Sequence, residues 1–193
     1  KVESINISLD SLKGEKYVYI TGKPFLHRVW DNVLEAMNAG FLVKINMVVL
    51  KGINEDEIMD FAKLTLFYPV WVRFIEVMGA REYYLPNSVI LGRLKRRFAI
   101  SPCSLKGVNG PAKYFEIEGG KGKIGFISPI GEENFCKRCN RIRIDARGYI
   151  YPCLFSMPVI NLRKAKVEEV KQVILRKGEE MRIEHVSFME IGG

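Results

Sequence analysis

Three cysteines stand over residues 135–153, FCKRCNRIRIDARGYIYPC, with the spacing C-x2-C-x13-C. The near pair, Cys136 and Cys139, can grip one metal centre, and Cys153 follows a stretch that reads as a β-hairpin able to return it to them. A structural zinc site wants four ligands. The fourth would have to be Cys103, His27 or His185, and both histidines lie outside any x3–5 pairing with a cysteine. The alternative is an iron–sulfur cubane, which three cysteines hold while the fourth iron stays open for a ligand. An open position means substrate binding or chemistry rather than stapling. Arg141 and Arg143 come next, two apart, so a strand places them on one face and Ile142 and Ile144 on the other. Two guanidinium forks beside a metal loop suit a phosphate chain; the bland reading is a pair of surface arginines.

A second polar set lies on segments that read as strands. In SINISLD, Ser4, Asn6, Ser8 and Asp10 share one face and Ile5, Ile7 and Leu9 the other. In FLVKINMVVL, Lys44 and Asn46 share a face with Val48, opposite Val43, Ile45 and Met47. In VWVRFIEVM, Arg73 and Glu76 are three apart, so a regular pleat separates them and only a bulge near Ile75 turns both inward. Fully covered parallel strands read as continuous apolar runs, and these do not. Helices would cover the Ile/Val faces, leaving the polar faces either on the open side of a sheet or inside a ligand-binding barrel. Barrel sites lie toward the C-terminal strand ends, where Ser8, Asp10 and Met78 fall.

The positioning elements are legible from periodicity. A helix is expected over 24–39, with Pro24 in its first turn and Leu26, Val29, Trp30, Val33, Leu34 and Met37 as its stripe. Strands are expected over 41–50 and 70–78, separated by a helix that Asn54 caps, and a further helix over 88–98 begins at Ser88. This β-α-β-α-β order implies parallel strands with right-handed crossovers. The second half reads as two hairpins, KYFEIE–GGKG–KIGFIS and RIRID–ARG–YIYP, followed by a charged helix over 165–178.

The chain has 193 residues, 48% of them hydrophobic and 27% charged, an ordinary globular balance. No apolar run approaches the roughly 20 residues of a membrane span. The net charge of +8 is spread along the chain, apart from Lys95, Arg96 and Arg97. It fits a solvated lysine-rich surface, an anionic ligand or nucleic acid. Four cysteines without a secretory signal point to a reducing compartment, where CxxC reads as metal or redox chemistry.

The segments INISLDSL, YITG, VKINMVVLKGIN, RFIEVM, NGPAKYF, IGFISPI, FCKRCNRIRI, PCLF and the terminal IGG together resemble the GTP 3′,8-cyclases, the radical-SAM enzymes of molybdenum cofactor biosynthesis. They follow the family order across nearly the whole chain. The resemblance implies an α/β fold: the C-terminal half of an incomplete (βα)6 TIM-type barrel with parallel strands, then an antiparallel, hairpin-rich cluster-binding module. The division falls into 1–98 and 99–193. In the family, one [4Fe-4S] cluster on a CxxxCxxC loop cleaves S-adenosylmethionine, and the resulting radical converts GTP to 3′,8-cyclo-7,8-dihydro-GTP, precursor of cyclic pyranopterin monophosphate. A second [4Fe-4S] cluster, on three cysteines, contacts guanine at its open iron. Carried over by position, Cys136, Cys139 and Cys153 would hold that second cluster. Lys44, Asn46, Arg141, Ile142 and Arg143 would bind GTP, Arg73 would act in catalysis beside them, and Ser8 and Met78 would contact S-adenosylmethionine. Gly192 and Gly193 resemble the family's terminus, which reaches toward the active site. A cytoplasmic homodimer is implied, with no nucleic acid or membrane partner, handing its product to cyclic pyranopterin monophosphate synthase.

The chain departs from the family in three places. It contains no CxxxCxxC, so by itself it is expected to make no 5′-deoxyadenosine. It begins at what would be the fourth barrel strand and without Met, as expected of a piece of a longer enzyme, and that strand then has an unpaired edge. Asn161 stands in NLR where the family has DLR. Two readings compete. One is a zinc-ribbon module on a basic scaffold, binding RNA or a protein. The other is a related radical-SAM maturase, a class that usually carries further cysteines after the third, whereas none follows Cys153 here.

Overall fold

The computed structural model describes residues 2–105, 110–135, 139, 141–153 and 156–176. The expectations for Cys136, His185, Gly192 and Gly193 lie outside the described residues.

Strands β1 (Ser4–Ser8), β2 (Leu42–Val49) and β3 (Trp71–Glu76) pair in parallel, in that order. Helices α1 (Gly14–Thr21) and α2 (Leu26–Asn38) connect the first two strands, and α3 (Ile58–Phe67) connects β2 to β3. The alternation in the sequence becomes a two-faced sheet. Val43, Ile45, Met47, Val72 and Phe74 are fully buried on the helix-covered face, and truncating one of these large side chains costs about 2–5 kcal/mol.

After β3 come α4 (Asn87–Lys95), β4 (Ile100–Pro102), β5 (Lys113–Ile117) and β6 (Lys123–Ile127). The hairpin of β5 and β6 does not stand apart. β6 lies parallel against β3, so the sheet runs β1-β2-β3-β6-β5-β4, four parallel strands and then an antiparallel edge. The tight approach is made by Gly122, where a Cβ would fall 2.0 Å from the Val70 carbonyl oxygen. Residues Lys1–Gly131 form one compact unit and Glu132–Gly193 another. The hairpin of β5 and β6 belongs to the first of these units, because β6 pairs with β3. In the second unit β7 (Arg143–Ile144), β8 (Tyr149–Tyr151) and β9 (Ile160–Asn161) form a separate antiparallel sheet, followed by α5 (Val167–Arg176).

Three local readings are corrected. Pro24 precedes α2, which starts at Leu26. Asn54 precedes a 3-10 turn over Glu55–Glu57 and caps no helix with its side chain, which bonds instead to the Leu50 N–H and to the carbonyls of Asp10 and Val48. Ser88 lies inside α4, whose first N–H, from Asn87, is received at 3.0 Å by Glu76 Oε1 instead. Residues 14–21 form a helix that their pattern does not announce. Tyr17, Val18, Tyr19, Ile20 and Thr21 are weak helix formers, yet Tyr17 is buried in the core and Gly22, at φ +70°, closes the helix.

Candidate functional site

The face of the first sheet turned away from the core carries the polar constellation. Register places Asn6, Lys44, Trp71 and Lys123 in one row and Ser8, Asn46, Arg73 and Gly125 in the next. Residues in register on parallel strands share a face, so Lys44, Asn46, Arg73 and Ser8 are brought together as the alternation predicts. The Lys44 ammonium donates to Ser4 Oγ at 3.2 Å and lies 5.3 Å from the centre of the Trp71 ring. Such a cation–π contact holds an ammonium without neutralising it.

Arg73 is only 7% exposed. Its Nε donates to Asn46 Oδ1 at 2.8 Å and its Nη2 to Asn6 Oδ1 at 2.7 Å. The side chain therefore lies across the sheet, from β3 over β2 to β1. Gly125 makes room for it, since a Cβ there would stand 2.9 Å from Arg73 Cγ and 2.9 Å from Tyr114 Cε1. Tyr114 in turn packs edge-on to Trp71, with ring centres 4.8 Å apart. Asn6 and Gly125 are site residues that the sequence reading left unassigned. The signal for Gly125 was a glycine inside a strand, which often marks close approach of another group.

Arg73 and Glu76 point to opposite faces. The pairing runs without a break from Asn46 beside Arg73 to Val49 beside Glu76, so β3 has no bulge. Glu76, 2% exposed, faces the core side. It receives the N–H groups of Asn87, Ile130 and Gly131 at 3.0, 3.2 and 2.8 Å. Burial, and then the Glu76 carboxylate, push the Tyr84 hydroxyl up. Glu76 is a fastening for backbone rather than part of the polar face.

Ser8 is exposed at the last position of β1, and Met78 is half-buried two residues past β3. Both lie at the C-terminal strand edge, where α/β sheets bind ligands. The same edge is tied by Asp10, whose Oδ1 accepts the Val48 N–H at 2.7 Å, and by Asn54, whose Nδ2 donates to the carbonyls of Asp10 and Val48. Burial raises the Asp10 carboxyl above its ordinary value, against the lowering effect of the Val48 bond.

In the second unit, β7 holds only two residues, so Arg141 and Ile142 precede the strand and the pleat argument does not reach them. Arg141 and Arg143 are both exposed, Ile142 is half-buried, and Ile144 is 55% exposed. The β7–β8 turn is organised by Asp145, which accepts the N–H groups of Arg147 and Tyr149, both at 2.9 Å. These bonds, the one from Tyr149 foremost, hold its carboxyl below the usual range. Asn161 accepts the Arg163 N–H at 2.9 Å and donates from Nδ2 to the Arg147 carbonyl at 3.3 Å. The aspartate of a DLR sequence could not make that second bond.

Cys139 and Cys153 are half-buried in this unit. The Cys153 N–H donates to Ser156 Oγ at 3.1 Å, and Ser156 Oγ donates back to the Cys153 carbonyl at 3.0 Å, which fixes the turn that follows β8. A thiolate set suits an iron–sulfur cluster or zinc. Among the described residues no three His, Cys, Asp or Glu side chains gather as a metal site. Cys103 belongs to the other unit, beside β5, where its N–H donates to the Tyr114 carbonyl at 3.0 Å and burial pushes its thiol up.

Comparison with known proteins gives these residues a family. The family described as Molybdenum Cofactor Synthesis C matches residues 70–184. A GTP 3′,8-cyclase of Moorella thermoacetica is 41% identical over 161 residues, 80% of this chain and 50% of that protein. One of Syntrophomonas wolfei is 39% identical over 184 residues, covering 89% and 56%, and one of Alkaliphilus metalliredigens is 37% identical over 193 residues, covering 95% and 59%. The chain thus spans between half and three-fifths of the length of these curated relatives, and corresponds to their C-terminal portion. The chain belongs to the Molybdenum Cofactor Synthesis C family.

Proposed function

We propose that this chain is the GTP-binding and auxiliary-cluster portion of a GTP 3′,8-cyclase, which serves molybdenum cofactor biosynthesis by converting GTP to 3′,8-cyclo-7,8-dihydro-GTP. The observation that carries this reading is a buried arginine, Arg73, held by asparagines on an open polar face beside Lys44, in a chain that matches this family. A guanidinium and an ammonium on one face suit the phosphates of a nucleotide. Lys44 and Asn46 would bind GTP, and Arg73 would act in catalysis. Arg141, Ile142 and Arg143 would also bind GTP, the arginines meeting phosphate. Ser8 and Met78 would contact S-adenosylmethionine at the C-terminal strand edge.

Cys136, Cys139 and Cys153 would hold a [4Fe-4S] cluster, and three thiolates leave one iron open to a guanine atom. The initiating radical would come from a cluster on a CxxxCxxC loop, a motif that these 193 residues do not contain. On the same reading β1 to β3 belong to the last three βα units of an incomplete (βα)6 barrel over 1–98, and the cluster module follows over 99–193. The protein is then a cytoplasmic dimer that passes its product to cyclic pyranopterin monophosphate synthase, without nucleic-acid or membrane partners. No helix among the described residues is long and apolar enough to cross a membrane.

The test is metal and sulfide analysis of protein purified without oxygen, with an absorbance spectrum before and after GTP. About four irons and four sulfides per chain, and a spectrum that GTP perturbs, are expected. One zinc per chain with no response to GTP would replace this reading with a structural ribbon.

A further inference from the structure

Gly122 and Gly125 both stand where a Cβ would collide, and they collide with different things. At Gly122 the nearest atoms are backbone, the carbonyl oxygens of Val70 and Tyr68 at 2.0 and 2.9 Å. The fold requires that glycine, because strand and turn approach each other there. At Gly125 the nearest atoms are all side chain: Arg73 Cγ at 2.9 Å and the Tyr114 ring at 2.9 and 3.2 Å. Gly125 is the middle residue of β6, and its backbone lies outside the left-handed region. The strand could therefore carry a side chain at this position. A glycine inside a strand weakens it, and alanine in a backbone it can adopt usually stabilises. The backbone gains nothing from Gly125, whereas two side chains of the polar face depend on it.

Register places Gly125 between Arg73 of β3 and Tyr114 of β5, and both side chains converge over it. Cγ is the first atom beyond Cβ, so displacing it swings the whole arginine. Staggered wells stand about 120° apart, and no small adjustment returns Nε to Asn46 Oδ1 and Nη2 to Asn6 Oδ1, now at 2.8 and 2.7 Å. Tyr114 is hemmed in on its other side by Trp71, with ring centres 4.8 Å apart.

We propose that Gly125 is a positioning residue of the polar face: its missing side chain lets the stem of Arg73 lean over β6 and so sets the guanidinium on Asn6 and Asn46. The placement stands on the geometry alone. Its consequence for the ligand rests on the GTP reading, in which Arg73 acts in catalysis and Asn46, acceptor of the Arg73 Nε–H, binds GTP. The replacement that tests it is Gly125→Ala, which adds one methyl group and removes no polar group.

The experiment follows hydrogen exchange of the Arg73 Nε–H by NMR in the anaerobically purified chain carrying isotope-labelled arginine, the resonance being assigned by its loss in Arg73→Lys. The same samples are titrated calorimetrically with GTP. The expected result is that Gly125→Ala folds, speeds exchange of that N–H at least about tenfold, and weakens GTP binding at least about tenfold. In an Arg73→Ala background the same replacement should cost no further affinity, as for two residues acting through one side chain. A further loss there overturns the positioning role, as does faster exchange with unchanged GTP affinity. Fast exchange already in wild type, or unchanged exchange in a folded Gly125→Ala chain, overturns the placement and leaves the GTP reading standing if wild type binds GTP. Faster exchange in the variant, with no GTP binding by wild type, upholds the placement and sinks the GTP reading. Should Gly125→Ala not fold, its combination with Arg73→Ala decides. A folded double variant upholds the collision with Arg73, and an unfolded one shows that the strand itself needs the glycine, which overturns the proposal.

Discussion

Asn6 and Arg73 lie on strands that never pair, yet Arg73 Nη2 reaches Asn6 Oδ1 at 2.7 Å by crossing the whole width of β2. Three consecutive strands are thus joined through side chains on the face that has no helix-packed core behind it. The joint depends on register: a one-residue slip of β1 would send Asn6 to the apolar side.

The exposed arginines of the second unit are expected to read charge rather than base. Arg141→Ala and Arg143→Ala should each weaken GTP binding by roughly tenfold, as for a lost charge-assisted phosphate bond, and leave guanosine binding nearly unchanged. Calorimetric titration with the two ligands checks this. Equal losses for both would show that the arginines do not meet phosphate.

The thiol assignments can be tested one by one. Cys153→Ser should abolish iron and sulfide incorporation, since two thiolates cannot hold a cubane. Cys103→Ser should leave the iron content unchanged, because Cys103 is not among the three proposed ligands. Loss of metal on mutating Cys103 would instead point to a site with four thiolates.

Glu76 is expected to matter for stability. Glu76→Ala removes the acceptor of the N–H groups of Asn87, Ile130 and Gly131, that of Asn87 being buried, at a cost of about 3 kcal/mol. Gly131→Ala should also destabilise, since its Cβ would stand 2.7 Å from Glu76 Oε1. Urea titration of both variants measures this, and a loss below about 1 kcal/mol for Glu76→Ala would show that water takes over the carboxylate's bonds.

Asp10 sets a pH dependence of definite sign. Burial lifts its carboxyl above the ordinary 3.8. From 3.8 up to that raised value, the folded chain keeps a proton that the unfolded chain has released. Its contribution to stability therefore falls as pH rises through the window and stays low above it. Asp10→Asn keeps the oxygen for the Val48 N–H and cannot ionise. The variant should gain stability over wild type at about pH 7 and lose that advantage near pH 3. Urea midpoints at the two pH values decide it; a variant less stable than wild type at neutral pH would mean that the ionised carboxylate is needed.

Much of the site could be read along the chain because a strand reports its two faces by alternation. Ser4, Asn6 and Ser8 against Ile5 and Ile7, and Lys44 and Asn46 against Val43 and Ile45, told which side chains would share a surface. The same periodicity separated Arg73 from Glu76, and the cysteine spacing with its flanking motifs pointed to the family. Local stretches whose fate depends on distant partners were not legible. Residues 14–21 have poor helix formers and become helical because Tyr17 finds the core. Asn54 has the side chain of a cap but ties the ends of β1 and β2. Ser88 looks like a cap, while Glu76, twelve residues earlier, receives the first N–H of α4. Only the tertiary structure decided that β6 joins β3, that Gly125 opens a channel for Arg73, and that two asparagines from separate strands hold it. Periodicity is a property of neighbours along the chain, whereas these contacts exist only once pairing register has brought strands from across the sequence side by side.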